Sequence, residues 1–293
     1  MAEYSARFFQ PERLEEVPAI LAGLTYRSVI VAGGTDLLIK LRDKRPEIDS
    51  WLSLCRLTEL RAVSEEDGWL KIGSMVTHTT ASEHETISAR FHALSMACAS
   101  VGSKQVRNKG TLGGSVMNAS VASDIIPCLC LFHAQLEFLT LNGPERIDIR
   151  TYLENRRAWQ DPQRLLTAIY LPLTDGMDSC FKKLGSRAEV TIAQISLCAS
   201  WIGTGRRKEQ LRVVMGAVSP TPLIYDPAEL LEDGTITPDK SLAFARRLRA
   251  DIAQIRMNRK KPSKLKFTPA EQQYKERAVR GLLCDLAALI NQR

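Results

Sequence analysis

The chain has 293 residues, which is long enough to bury a sizeable hydrophobic core and predicts two domains. Its formal net charge is +7, and residues 246–293 carry 13 Lys or Arg against 4 Asp or Glu. No run of roughly 18 or more apolar residues is present, and residues 1–7 contain no apolar core, so we expect neither a membrane span nor a secretory signal. These features predict a cytoplasmic protein.

Seven scattered cysteines, an odd number, are typical of a reducing compartment rather than of a disulfide framework. Cys128 and Cys130 form the closest pair, and their apolar neighbours predict buried structural thiols. The sequence has no C-x-x-C pair and no metal-ligand spacing among its four histidines, so we expect no metal ion and no iron–sulfur cluster on this chain. It also lacks the G-x-S-x-G and Walker A sequences of α/β-hydrolases and P-loop proteins.

Hydrophobic periodicity predicts an α-then-β start to the chain. A helix begins at Pro11, where proline suits the first turn, and Leu14, Val17 and Ile20 recur at helical spacing. Further along the N-terminal half, the pattern predicts a strand at 29–32, a short helix at 37–41, a turn at 67–68, a strand at 69–72 and a helix at 91–99.

The rest of the chain predicts a sheet followed by helices. Asp124 precedes an apolar helical run at 125–132, and aspartate is a good N-cap. The expected strands lie at 134–141, 165–172, 179–184, 191–202 and 210–218, with a hairpin turn at 142–143, and the expected helices lie at 240–256 and 269–291. This order is typical of an α+β fold, and we place the domain boundary at 174–176.

Two glycine clusters are the most informative feature of the sequence. They are Val31-Ala32-Gly33-Gly34-Thr35-Asp36-Leu37 and Arg107-Asn108-Lys109-Gly110-Thr111-Leu112-Gly113-Gly114-Ser115. Glycine lets the backbone turn tightly and approach a ligand, and successive free N–H groups bind anions such as phosphate. Two such loops predict a diphosphate ligand, hence a dinucleotide. Neither cluster has the G-x-G-x-x-G spacing of a Rossmann fold, and an ordinary turn is the alternative for each.

The second cluster belongs to a longer motif that resembles a known family. Residues 101–108 read VGSKQVRN, residues 111–115 read TLGGS, and residues 118–120 read NAS, with Asp124 following. Together with the first cluster, this order resembles the FAD-binding subunit of the molybdenum hydroxylases, the family of xanthine dehydrogenase and of the medium subunit of carbon monoxide dehydrogenase. The resemblance implies an FAD-binding domain of the p-cresol methylhydroxylase type over residues 1–175, built from two α+β subdomains. It further implies a C-terminal flavoprotein domain of sheet and helices over residues 176–293, with a basic tail.

The resemblance also implies which residues bind FAD. Asp124 falls near the adenosine ribose, Leu166 at an apolar contact, and Lys183 where an ammonium can stabilise reduced flavin, although Lys183 as an exposed lysine without such a role is the alternative. The full set implied to bind FAD is Ile30, Val31, Ala32, Gly33, Gly34, Thr35, Asp36, Leu37, Gly102, Thr111, Leu112, Gly113, Gly114, Ser115, Asp124, Leu166 and Lys183.

The sequence departs from the family pattern at three places. Ser115 stands where the family has asparagine. Serine offers a hydroxyl but lacks the two amide N–H donors of asparagine. Thr191 replaces a family aspartate, and a family S-x-x-Y-R element is reduced to Tyr274-Lys275. We expect the fold to be unaffected by these changes, which bear instead on the redox properties of the bound cofactor.

The function implied by the resemblance is electron transfer through FAD in a molybdopterin-dependent hydroxylase or dehydrogenase. The expected partners are an iron–sulfur subunit and a molybdopterin subunit, with NAD+ or another acceptor taking the electrons. Two alternatives remain at this point: a non-redox binding module that kept the fold and lost flavin, and a nucleic-acid-associated protein that uses the basic stretch 256–266. The stretch lacks a nucleic-acid motif, so we expect no nucleic acid and regard a solvated loop as its ordinary role.

Overall fold

The computed structural model describes residues 6–44, 46–187, 190–257 and 269–293. Its strands are β1 (Arg7–Phe9), β2 (Ser28–Val31), β3 (Ser50–Ser53), β4 (Val63–Glu66), β5 (Trp69–Gly73), β6 (Gln135–Thr140), β7 (Gly143–Asp148), β8 (Leu165–Pro172), β9 (Met177–Gly185), β10 (Ala193–Ile202), β11 (Glu209–Gly216), β12 (Leu223–Tyr225), β13 (Leu231–Glu232) and β14 (Thr235–Ile236). Its α-helices are α1 (Val17–Leu21), α2 (Leu37–Lys44), α3 (His78–Glu83), α4 (Glu85–Arg90), α5 (His92–Ser100), α6 (Lys104–Arg107), α7 (Leu112–Asn118), α8 (Ile125–Leu131), α9 (Ile149–Glu154), α10 (Arg156–Trp159), α11 (Pro238–Met257) and α12 (Pro269–Gln292).

The described residues form two compact units, and the chain passes between them several times. The first unit consists of the described residues of 6–81, 103–120 and 132–173. The second consists of the described residues of 82–102, 121–131 and 174–293. The division into domains at residue 175, expected from the sequence, stays a prediction.

The first unit contains a small parallel sheet with strand order β1-β3-β2. Parallel neighbours cannot be joined by a hairpin, so the chain must cross over between them. Helix α1 follows β1 and helix α2 follows β2, and Val17 and Leu21 of α1 are fully buried. The first glycine cluster therefore lies at the carboxyl end of β2, in the connection that leads to α2.

The second sheet of this unit is antiparallel, with strand order β4-β5-β8-β6-β7. Asp67 and Gly68 have φ values of +49° and +80°, which suit the tight hairpin between β4 and β5. Strand β8 lies at the centre of the sheet, and its residues 165–171 are all buried. Leu166 is one of these, at 2% exposure.

The second unit is built on an antiparallel sheet with strand order β12-β11-β10-β9. Helices α5 and α8 pack on this sheet, and so does α12, which also pairs with α11. The core includes the fully buried Trp201 of β10 and continues into α12 through Leu283, Leu286 and Ile290.

The structure confirms the α+β fold class and each predicted strand and helix from residue 29 onward, within a few residues at the ends. The helix expected to begin at Pro11 was misplaced, because residues 14–16 form a 3-10 turn and the α-helix begins at Val17, with Pro18 in its first turn. It also contains elements that the sequence did not predict. These are β1, β3, β4, β7, β12, the short β13–β14 hairpin, and helices α3, α4, α6, α7, α9 and α10.

The thiols of Cys128 and Cys130 are buried, as predicted, within helix α8. No helix in the described part of the chain is long and apolar enough to cross a membrane. The basic stretch 256–266 lies almost entirely outside the described residues, and no structural statement about it follows.

Candidate functional site

The first glycine cluster supplies free backbone donors. Ile30 and Val31 end strand β2, Ala32 follows, and Gly34 has a φ of +73°, a conformation that favours glycine. The turn leads directly into helix α2, whose first backbone hydrogen bond runs from the Leu38 N–H to the Gly34 carbonyl oxygen at 3.0 Å. Within the part of the chain that the structure describes, the N–H groups of residues 33–36 donate no hydrogen bond. These donors precede the positive end of a helix, where an anion is stabilised.

The second glycine cluster differs from the expectation of free N–H groups. Thr111 caps helix α7, because its Oγ1 accepts from the Gly114 N–H at 2.9 Å. The Leu112 and Gly113 N–H groups donate to the carbonyl oxygens of Val76 and Ser74, each at 2.9 Å, and the Ser115 N–H donates to the Thr111 carbonyl. The expectation of free N–H groups at 112–115 was therefore wrong, because the segment begins a capped helix and these four N–H groups already donate to protein acceptors. Contact of residues 111–115 with the cofactor stays a prediction.

The glycine at 113 serves close packing. A Cβ on Gly113 would lie 2.6 Å from the Cβ and the carbonyl oxygen of Ser74, closer than real Cβ atoms approach. The absence of a side chain thus lets helix α7 begin directly against the segment that follows β5. Glycine at position 113 is therefore required by the close approach of two protein segments, whether or not it also contacts a ligand.

The two glycine clusters contact each other. A Cβ on Gly33 would lie 1.8 Å from the carbonyl oxygen of Lys109 and 2.6 Å from its carbonyl carbon. Asn118, at the end of α7, donates from Nδ2 to Asp36 Oδ2 at 2.8 Å, and its Oδ1 accepts from Lys40 Nζ. The free donors of the first cluster are therefore held in place by the second cluster and its helix.

His78 holds the second glycine cluster through two hydrogen bonds, and the sequence did not indicate this role. Its backbone N–H donates to the Gly110 carbonyl at 3.0 Å, and its Nε2 lies 3.1 Å from Ser115 Oγ in a hydrogen bond. Burial, followed by the charge of Arg107, lowers the pKa of His78 to about 4, so the imidazole is neutral at physiological pH. No local pattern marks this contact, because the two partners are far apart in sequence.

In the second unit, Asp124 is paired with Lys183. The carboxylate is 8% exposed, and its Oδ2 accepts from Lys183 Nζ at 2.6 Å and from Ser100 Oγ at 3.3 Å. Burial raises the pKa of Asp124 above its usual value, while the ammonium of Lys183 and the hydrogen bonds oppose that shift. The other oxygen, Oδ1, is buried and has no hydrogen-bond partner.

Asp124 is not the N-cap of helix α8, which corrects the expectation from the sequence. The Ser123 hydroxyl accepts from the N–H groups of Ile125 and Ile126, both at 3.3 Å. Because Ser123 satisfies the helix end, the Asp124 side chain is available for Lys183 and Ser100.

Lys183 is not an exposed lysine, so that alternative was wrong. Its side chain is 12% exposed, and besides Asp124 its Nζ donates to the Ser100 carbonyl at 2.7 Å and to the Thr191 carbonyl at 3.4 Å. Thr191, which replaces a family aspartate, thus contributes a backbone acceptor. Gly102, also in this unit, has a φ of +46°.

Each unit by itself presents groups that suit one part of a dinucleotide. The free N–H groups at 33–36 suit phosphate oxygens. The unpartnered Oδ1 of Asp124 suits a hydroxyl donor, because a buried acceptor without a partner costs free energy that a ligand hydroxyl would recover.

Comparison with known proteins decides the family. The model of the FAD-binding domain in molybdopterin dehydrogenases matches residues 3–174. The chain belongs to this family. FAD is therefore its cofactor, as the resemblance implied, and the chain belongs to the oxidoreductases.

Similar proteins include some that are named as FAD subunits. The FAD subunit of nicotinate dehydrogenase from Eubacterium barkeri is 30% identical over 196 residues, covering 64% of this chain and 66% of that subunit. The FAD-binding subunit of xanthine dehydrogenase from Escherichia coli O157:H7 is 28% identical over 204 residues, covering 68% of this chain and 70% of that subunit. These matches span about two thirds of each relative's length.

Solved structures share the fold over nearly the whole chain. A chain of quinoline 2-oxidoreductase from Pseudomonas putida 86 matches with a TM-score of 0.79 at 20% identity, covering 98% of both chains. A chain of carbon monoxide dehydrogenase from Hydrogenophaga pseudoflava matches with a TM-score of 0.78 at 20% identity, covering 97% of this chain and 98% of that chain. The described fold is thus shared with these two chains.

Proposed function

We propose that this chain is the electron-transfer flavoprotein subunit of a molybdopterin-dependent hydroxylase or dehydrogenase. Its partners in this proposal are an iron–sulfur subunit and a molybdopterin subunit of the same complex. The match of the family model over residues 3–174 is the observation that carries the proposal. The relatives named as FAD subunits of nicotinate and xanthine dehydrogenases support it.

Bound FAD supplies a group that accepts electrons from iron–sulfur clusters and gives them to NAD+ or another acceptor. The chain's own residues bind and orient it. In our proposal the N–H groups of residues 33–36 hold the diphosphate, and helix α2 adds the positive end of its dipole. Helix α7 and Asn118 fix the position of those donors.

The remaining proposed contacts follow the family pattern. Asp124 accepts from a ribose hydroxyl through Oδ1, the oxygen that no protein group uses. Leu166 supplies an apolar surface, and the Ser115 hydroxyl, held by His78, stands in for the family's asparagine. The resemblance implies direct contacts between FAD and the glycines at 113 and 114. In this proposal these glycines instead support the first glycine cluster, which contacts the diphosphate.

Purification from the native source tests the complex. We expect iron, molybdenum and FAD to co-elute with this chain, and we expect substrate added without oxygen to bleach the flavin absorbance. Reoxidation by NAD+, compared with quinones and dyes, then identifies the acceptor. Elution of the chain as a free homomer without iron or molybdenum at any salt concentration would contradict the three-subunit proposal.

The flavin-free binding module is tested with the purified chain itself. A yellow protein with about one FAD per chain, or an apo-protein that takes up added FAD, is the expected outcome, because free donors and an open carboxylate oxygen are both present. A colourless protein that takes up no FAD would remove the redox role and leave the alternative.

A further inference from the structure

The ammonium of Lys183 is fully engaged by the protein. Its three acceptors are the Asp124 carboxylate at 2.6 Å, the Ser100 carbonyl at 2.7 Å and the Thr191 carbonyl at 3.4 Å. An ammonium has three donors, so these contacts use its whole capacity. A direct hydrogen bond from Lys183 to a flavin would require one of them to break.

Asp124 has the opposite character, because one of its oxygens is unused. Lys183 and Ser100 both contact Oδ2, whereas Oδ1 is buried without a partner. A buried carboxylate oxygen normally accepts a hydrogen bond, and its isolation here points to a donor that arrives with a ligand. The two partners thus differ, because all hydrogen-bond donors of the lysine ammonium are used, whereas one oxygen of the aspartate can still accept a hydrogen bond.

We infer that Lys183 is a positioning residue, which keeps Asp124 charged and turned so that Oδ1 accepts from a ribose hydroxyl of FAD. This inference rests on the proposed function and deepens it, because it removes Lys183 from direct contact with the flavin. A charge-assisted hydrogen bond is about twice as strong as a neutral one, so the charge on Asp124 contributes directly to FAD affinity.

Lys183 is also the one cation that acts on Asp124 among the described residues. The other titratable groups whose charge interacts with Asp124 are the thiols of Cys98 on α5 and Cys128 on α8. Burial raises the pKa of both thiols, so both are neutral at physiological pH. Burial raises the pKa of Asp124 as well, and without Lys183 the carboxyl would take up a proton more readily.

The test uses the full chain and measures the dissociation constant of FAD, the visible spectrum of bound FAD and the thermal stability of the apo-protein. For Lys183→Gln we expect affinity about tenfold weaker at neutral pH, recovering as the pH rises and Asp124 loses its proton. The spectrum of bound FAD should stay as in the wild type. Lys182→Gln is the matched control, since Lys182 is the preceding residue of β9 and points to the other side of the strand.

A double variant keeps the inference testable if Lys183→Gln does not fold. Asp124→Asn with Lys183→Gln leaves two neutral amides, and the Ser123 cap of α8 is untouched. We expect this double variant to bind FAD as weakly as Asp124→Asn does, because Lys183 acts only through the carboxylate.

Three results would overturn the inference. They are unchanged FAD affinity in Lys183→Gln, a further loss of affinity when Lys183→Gln is added to Asp124→Asn, and an altered flavin spectrum at saturating FAD. Each would mean that Lys183 is dispensable or touches the cofactor directly. Failure of the wild-type chain to bind FAD would instead contradict the proposed function.

Discussion

At the scale of single residues, Ser115 shows how a departure from the family pattern is accommodated. A serine lacks the amide donors of asparagine, but its hydroxyl is held by His78 Nε2 at 3.1 Å. The identity of residue 115 could be read from the sequence, whereas its partner could not, because 37 positions separate the two and no spacing rule joins them. The same holds for Lys183 and Asp124, whose pairing depends on tertiary contact between β9 and the residue before α8.

The buried His78 makes a prediction about acid stability. Above pH 6.5 it is neutral in both the folded and the unfolded chain, and its contribution does not depend on pH. Below pH 6.5 the unfolded chain takes up a proton that the folded chain resists until the pKa of about 4. The free energy of unfolding should therefore fall by roughly 3 kcal/mol between these pH values because of this residue.

Urea unfolding of the apo-protein at several pH values from 7.5 to 4 (roughly the range of the titration) measures this fall. His78→Leu should be less stable than the wild type at the upper end and should lose less stability as the pH decreases. His133→Asn serves as the control, since His133 is exposed and asparagine tolerates its φ of +52°. Parallel pH profiles for the wild type and His78→Leu would show that another group controls acid unfolding.

The contact between the glycine clusters predicts a sharp contrast between two glycines. Gly33→Ala places a Cβ 1.8 Å from the Lys109 carbonyl oxygen, and backbone must move to relieve it. We expect a loss of about 1–3 kcal/mol in the free energy of unfolding, with weaker FAD binding. Gly281→Ala in α12 meets nothing within 4 Å and should stabilise the chain by about 1 kcal/mol. Equal effects of the two variants in urea unfolding would contradict the packing described here.

At the scale of elements, the start of helix α7 is the place where sequence and structure diverge most. The motif TLGGS at 111–115 predicted a loop, because adjacent glycines let the backbone turn tightly, and glycine is also a poor helix former. The threonine cap and the packing of Gly113 on Ser74 outweigh that propensity. Long apolar strands such as β8 and β10 were predicted well, while β1 and β3 were missed because each has only three or four residues and pairs in parallel with distant segments.

The Thr111 cap predicts the behaviour of two variants. Thr111→Val keeps the size of the side chain but removes the acceptor of the Gly114 N–H, and we expect a loss of about 1 kcal/mol in the free energy of unfolding. Thr111→Ser keeps the hydroxyl and should retain most of that stability. Chemical unfolding of the two apo-proteins provides the comparison, and a serine variant as unstable as the valine variant would contradict the assignment of the effect to the lost hydroxyl acceptor.

At the scale of the whole molecule, the fold class and the cofactor were predictable and the layout of the chain was not. The ordered motif from residue 101 to Asp124 carried the family, and the comparison over residues 3–174 confirmed it. The interleaving of segments 82–102 and 121–131 with residues beyond 174 left no sign in the sequence. Such assignment depends on which surfaces pack together, and local periodicity contains no information about that choice.

The uneven charge of the whole chain leads to a prediction about assembly. Residues 246–293 carry a formal charge of +9 against +7 for the whole chain, and several of these residues lie outside those that the structure describes. A basic segment accelerates association with an acidic partner by steering, an effect that weakens as the Debye length falls from about 10 Å at 0.1 M salt to about 3 Å at 1 M. Replacing Arg259, Lys260, Lys261 and Lys264 with glutamine should therefore slow association with the partner subunits at low salt and change it little at high salt.

The control variant replaces four exposed arginines elsewhere, namely Arg61, Arg150, Arg157 and Arg206, so that the net charge changes equally. If both variants slow association to the same extent at every salt concentration, total charge rather than this segment directs assembly, and the segment is a solvated loop.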